Sequence, residues 1–255
     1  MSVHFESGYT QDDYARFLWD KLSGTVTATS SASGFDAANA DAVDTASWWQ
    51  PNTSSGTWTI AYASAQNVDS VGIAAHTLSG VLVTIQAEIS SVWTTVLSFT
   101  PSDNSAILAI FDTVSATGIR ITIAAQERIG VVYSGVALKM PLHGYAKIGL
   151  FDLNRQASLT SYISEGGQLL GRFIQRRGLQ ASFTYEYLAE DWYRTNFDPF
   201  AVSAQTEPFF VAARPSGYPT DCAYAWCDAT ITPQRMGVAN FLSVSFTAQG
   251  HADAA

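Results

Sequence analysis

Apolar and polar side chains alternate at every second position over much of this 255-residue chain. Val81, Val83, Ile85, Ala87 and Ile89 alternate with Leu82, Thr84, Gln86 and Glu88. Trp58, Ile60 and Tyr62 alternate with Thr and Ala, and Ile119, Ile121 and Ile123 alternate with Arg120, Thr122 and Ala124. Val136, Leu138 and Met140 show the same period, as do Leu242, Val244, Phe246 and Ala248. Successive strand side chains point to opposite faces, so period two predicts half-buried strands. Turn clusters such as Thr53-Ser54-Ser55-Gly56 and Pro101-Ser102-Asp103-Asn104 separate the runs. Many short strands punctuated in this way predict an all-β chain built from antiparallel sandwiches. With 47% hydrophobic residues, it can bury a sizeable core.

Helical signals are few. Thr10 and Asp13 fit a capping box, and Tyr14, Phe17, Leu18 and Leu22 share one helical face, so a helix is expected over 10–22. A shorter one is expected over 188–197, with Leu188, Trp192 and Tyr193. The stretch 168–178 reads equally as a helical turn or a strand edge.

Charge divides the chain. The formal net charge is −9, yet no Lys or Arg occurs between Lys21 and Arg120, where seven acids stand. Residues 120–255 hold eleven basic and eleven acidic side chains. A surface without cations cannot neutralise phosphates, which makes this stretch a poor candidate for binding nucleic acid or an anionic membrane. No run of about 18 apolar residues predicts a membrane-spanning helix. Composition shifts near Pro141–Gly144, so three segments are expected: an N-terminal segment 1–23, a first β-sandwich domain 24–139 and a second 140–255. Cys222 and Cys227 are read as strand residues, not a disulfide framework. The composition is Ser/Thr/Ala-rich and Lys-poor, as in extracellular proteins. The first residues carry no basic and apolar export signal. Together these are expected of virion components, assembled in a host cytoplasm and released by lysis.

Several segments follow a recognisable order. Ala37-Ala38-Asn39-Ala40-Asp41 leads to Trp48-Trp49-Gln50-Pro51, then Thr57-Trp58-Thr59-Ile60, then Val68-Asp69-Ser70-Val71-Gly72-Ile73. The strand 81–89, Val92-Trp93-Thr94-Thr95-Val96 and Gly118-Ile119-Arg120-Ile121 complete it. This order resembles the discoidin or galactose-binding-like jelly roll, over roughly 24–139. Ala42 stands where that family usually has Gly after the Asp, and Gly118 where it often has Arg. The resemblance implies that Trp48 or Trp49 plugs the open end of the barrel, or that one of the pair is exposed as a sugar-stacking platform. In the second case Asn39, Asp41 and Gln50 would supply hydrogen bonds. Trp58 and Trp93 are expected in the core and His76 in a turn or at a strand end. Asp41, Asp44 and Asn39 have oxygens suited to Ca²⁺, but turn capping is the favoured role.

In the second half, Phe183-Thr184-Tyr185-Glu186-Tyr187-Leu188, Glu207-Pro208-Phe209-Phe210-Val211, Ala225-Trp226-Cys227 and Phe241–Ala248 follow in order. This resembles, more loosely, the tail-type β-sandwich with a short helix found in tailed-phage tube and distal-tail proteins. The resemblance implies a homo-oligomeric ring. Interfaces favour aromatics and Arg over Lys, so Arg172, Arg176, Arg177 and Trp192 are the candidate oligomer-interface residues.

No catalytic set stands out. His4, His76, His143 and His251 show no metal-site spacing, and no nucleophile or P-loop motif occurs. No enzyme, metal or cofactor is expected. Two functions are. One is a structural component of a tailed-phage virion, at the distal tail or tail tip, with other tail proteins as partners and host-surface glycans in contact. The other is a soluble carbohydrate-binding module or lectin, stacking sugar on Trp48, Trp49, Tyr62 or Trp93.

Overall fold

The computed structural model describes residues 3–144, 149–237 and 240–252, with Arg176 described for its backbone alone. Among these residues it is all-β, as expected, with two sheets, a 3-10 turn at Ala37–Asp41 and a short helical stretch after β11. The strands are β1 (Val3–Phe5), β2 (Arg16–Leu18), β3 (Thr25–Ala28), β4 (Gly56–Ala74), β5 (Val83–Ile89), β6 (Val92–Phe99), β7 (Ile107–Ile123), β8 (Val131–Gly135) and β9 (Leu138–Lys139). They continue with β10 (Arg155–Ile163), β11 (Leu169–Ala189), β12 (Phe209–Ala212), β13 (Cys222–Cys227), β14 (Pro233–Arg235) and β15 (Phe241–Gly250). Helices α1 (Glu190–Trp192) and α2 (Asp198–Ser203) are joined by a π-helical turn, Tyr193–Phe197.

The first sheet runs β3-β4-β7-β5-β6, with β1 added to β7 and β8 to β4. Strands β4 and β7 pair along most of their length, but the register breaks between Ala61 and Gln66 and between Val68 and Ser70. Such irregularities bend a strand, and here they fold the sheet over into two layers. Trp58 and Ile60 of the outer layer share one core with Val71, Ile73, Ala109, Phe111 and Val132 of the inner layer. The inner layer is buried on both faces, because Leu108, Ile110 and Tyr133 pack the other way onto Phe210, Ala212 and Tyr224. Hence Ile107–Phe111 is a continuous buried run rather than an alternating one.

The second sheet runs β10-β11-β15-β13-β12-β2-β9, with β14 on β15. Strands β2 and β11 stand four places apart, about 19 Å in a flat sheet. Yet the rings of Phe17 and Phe183 are 5.6 Å apart. The sheet therefore rolls over a core of phenylalanines, including Phe200 and Phe197 from the helical stretch. That stretch is the helix expected over 188–197, beginning at Glu190 and continuing to Ser203.

Residues 10–22 form no helix. Arg16–Leu18 instead pairs with Phe210–Ala212 and with Leu138–Lys139. Phe17 enters the phenylalanine core and Leu18 the interface between the sheets. A strand buried on both faces has consecutive apolar residues, which mimic a helical face. The proposed capping residue Asp13 serves tertiary contacts, accepting from Arg214 and the Gly217 N–H. Within the segment expected as 1–23, β1 thus joins the first sheet and β2 the second, and β9, expected with the first domain, also lies in the second sheet. The stretch 168–178 is strand.

Candidate functional site

The residues expected around a sugar platform do come together at one end of the first sandwich, but most are committed to holding it shut. Trp49 is 0% exposed, and its Nε1 donates to the Ser30 carbonyl at 3.0 Å. Its backbone also exchanges hydrogen bonds with Ile129. This is the plug, and as a platform Trp49 is excluded by burial. Trp48 is half-buried, stacked on Phe35 at 4.9 Å, with the Arg128 guanidinium 5.2 Å from its ring centroid. Asn39 Nδ2 donates to the Trp48 and Gly34 carbonyls. Gln50 Nε2 donates to the Gln126 carbonyl at 3.1 Å. Asp41 pairs with Lys21, whose ammonium also reaches the Asp41 carbonyl. Asp44 closes a turn by accepting from the Ser47 and Ala46 N–H groups, which hold its carboxyl below the usual carboxylate range. His76 lies just past the end of β4, its Nδ1 accepting the Leu78 N–H.

A different surface offers side chains to solvent. Trp93, expected in the core, is half-buried on the outer face of the first sheet. The cause is a register shift in β6: Ile85 pairs with Leu97 but Gln86 with Thr95, so Leu97 and Phe99 face the core while Thr95 and Trp93 turn to the outer face. Register places Gln86 of β5 between Arg120 of β7 and Thr95 of β6, with Glu88 opposite Trp93. Val83, Ile85 and Ala87 point inward, so Gln86 and Glu88 must face out. Arg120 lies 4.6 Å from the Trp93 ring centroid. Its Nε donates to Gln86 Oε1 at 2.7 Å, and Gln86 Nε2 donates to Thr95 Oγ1 at 3.1 Å. Thr117 donates to Glu88 Oε2 at 2.7 Å. Gly118 leaves room beside the indole, since a Cβ there would stand 3.4 Å from Trp93 Cη2 and 2.7 Å from the Ile60 carbonyl oxygen.

The guanidinium is thus fixed through Nε and by stacking, while its two Nη groups make no hydrogen bond among the described residues. A rigid fork beside an apolar ring can order oxygen atoms while the ring covers C–H groups. Around it, the hydroxyl pairs Thr57 with Thr122 and Thr84 with Ser98 keep the face polar and flat. Arg120 and Gln86 were not singled out from sequence as site residues. They come from strands 34 residues apart, and only the register joins them.

The candidate interface residues fall in two places. Arg172 and Arg177 are exposed on the β10–β11 hairpin, and the side chain of Arg176 lies outside the described residues. Trp192 instead packs against the phenylalanine core. At the base of the hairpin, a cleft of about 840 Å³ lies between it and the loop before β7, lined by Asp103, Arg155, Ile174, Arg177 and His251. Cys222 borders this cleft and Cys227 lies in the same strand; both are free thiols, pushed up in pKa by burial.

No protein-family model matches this chain, and no curated protein does. Among solved structures it is similar to chitosan-binding module 1 of a chitosanase/glucanase from Paenibacillus sp. IK-5, at 21% identity and a TM-score of 0.41, covering 46% of this chain and 97% of that one. It is similar to the family 32 carbohydrate-binding module of C. perfringens NanJ in complex with galactose, at 21% identity and a TM-score of 0.40, covering 43% and 91%. The family 32 module of AlyQ in complex with 4,5-unsaturated mannuronic acid gives 23% identity and a TM-score of 0.40, covering 45% and 96%. These neighbours are carbohydrate-binding modules, and each alignment spans less than half of this chain.

Proposed function

We propose that this chain is a carbohydrate-binding protein, not an enzyme, and that its first sandwich takes a saccharide on the outer sheet face at Trp93, Arg120 and Gln86. The observation that supports the reading is the fixed guanidinium over a half-buried indole on the outer sheet face, its Nη donors turned to no protein acceptor among the described residues. The indole would cover the C–H face of a pyranose, and Arg120, Gln86 and Thr95 would meet its hydroxyls. Calorimetric titration of the full chain against a panel of neutral and acidic polysaccharides tests it. Trp93→Ala and Arg120→Ala are expected to weaken binding by about tenfold or more, while Gln50→Ala leaves it unchanged. A chain that binds no member of the panel, or whose binding survives Trp93→Ala, overturns the reading.

A second reading is favoured by the exposed hairpin: a structural subunit of a tailed-phage virion, forming a ring with its own copies and other tail proteins at the distal tail or tip. In it the sandwich is the part presented to host glycans. Electron microscopy of the purified chain is expected to show closed rings. A strictly monomeric particle overturns this reading and leaves the first in place.

A further inference from the structure

We infer that the hairpin formed by β10 and the first half of β11 is an arm that docks on the acidic sandwich of a second copy of this chain. The inference rests on the assembly reading above and names its contact surface. From Leu179 onward β11 pairs with β15, but residues 169–178 pair only with β10 among the described residues. The hairpin therefore leaves the body of the sheet as two strands with no third. A two-stranded hairpin alone in water is marginal at best.

Both of its faces carry apolar side chains in solvent. Leu159 stands opposite Ile174, and Ile163 opposite Leu169. On the other face Tyr162 stacks on Phe173 at 5.8 Å. Ile163 is 65% exposed and Leu170 68%. Contiguous apolar surface of this kind marks a contact site. The outer edge of β10 strengthens the case. It is nine residues long with Arg155 its one charged side chain and no Pro, and the extra residues at the hairpin's two register shifts fall on β11 rather than on this edge.

Charge selects the partner. Residues 155–178 carry four Arg and one Glu. Arg155, Arg172 and Arg177 make no ion pair among the described residues. The arm is thus basic and would repel the arm of another copy. The complementary surface is in the same chain: the sandwich 24–139 holds eight acids against Arg120, Arg128 and Lys139, with Asp36, Asp44 and Asp112 exposed. An arm that fits a different surface of an identical molecule makes a heterologous contact, which repeats into a ring or a filament.

The test uses the full chain with a benzophenone photo-crosslinker at Leu159, in a mixture of isotopically light and heavy protein. Light-to-heavy cross-links from the arm to residues 24–120 are expected. Light scattering is expected to show an oligomer that dissociates as salt rises, and that Leu159→Ser with Ile174→Ser weakens by about tenfold or more. Arg172→Glu with Arg177→Glu should do the same, and all four positions are exposed, so circular dichroism should stay unchanged. Cross-links from arm to arm, or an oligomer indifferent to both double variants, overturn the inference while leaving assembly itself standing. A monomer at every concentration overturns both.

Discussion

At the scale of single residues, tryptophans that look alike in sequence divide by burial. Trp49 fills the end of the sandwich, and Trp49→Ala should cost about 3–5 kcal/mol, read as a lower midpoint in denaturant. Trp93 is half-buried on the outer sheet face, so Trp93→Ala should lower that midpoint less than Trp49→Ala does while removing saccharide binding. Asp221 is the residue most at odds with its surroundings. It is fully buried, accepts the Phe151 N–H at 2.6 Å through Oδ1, and has no partner for Oδ2 among the described residues. Burial raises its pKa from 3.8 to about 6. The folded state therefore favours the neutral carboxyl. This group's stabilising effect is complete below about pH 4 and is lost as pH rises towards 6, a difference of about 3 kcal/mol at most. Asp221→Asn keeps an acceptor for Phe151 and should flatten the stability profile between pH 4 and 6. A profile as steep in the variant as in the parent would assign the titration to another group.

At the scale of strands, Gly72 decides whether the layers can meet. A Cβ at this position would lie 2.5 Å from the Phe210 ring, a rigid group that is itself fully buried. Gly72→Ala should thus destabilise by about 1–3 kcal/mol, with Phe210→Leu in the same chain restoring part of the loss. Equal and additive losses would mean that the two residues do not touch. Strands with one wet face, such as β5 and the second half of β7, were legible in the sequence because alternation reports a single buried face. Strands buried on both faces were not. Arg16–Leu18 carries apolar neighbours at consecutive positions, and its true partners lie more than a hundred residues away. The same limit applied to the site. The pair Trp48 and Trp49 could be placed at the sandwich end, but adjacency alone does not tell which of two neighbours is plug. The Arg120–Gln86 contact depends on register, which no local pattern encodes.

At the scale of the whole molecule, the interface between the two sheets is a core rather than a contact between separate domains. Leu108, Ile110, Val131 and Tyr133 of the first sheet meet Leu18, Phe210, Ala212 and Tyr224 of the second, and all are buried. Interfaces between independent domains are more polar and allow relative motion, whereas this one contributes buried aromatic and aliphatic area to both sides. The chain also crosses it repeatedly, since β1 belongs to the first sheet, β2 to the second, β3–β8 to the first and β9 to the second. Neither sheet can melt without exposing the apolar face of the other. Thermal unfolding of the full chain should therefore show one transition, with calorimetric and van't Hoff enthalpies in agreement. A fragment of residues 24–139 should expose Leu108, Ile110 and Tyr133 to water and lose the β1 pairing as well. It should bind a dye for apolar surface and aggregate, whereas two well-separated transitions, or a soluble and cooperatively folding fragment, would show that the sandwich stands alone.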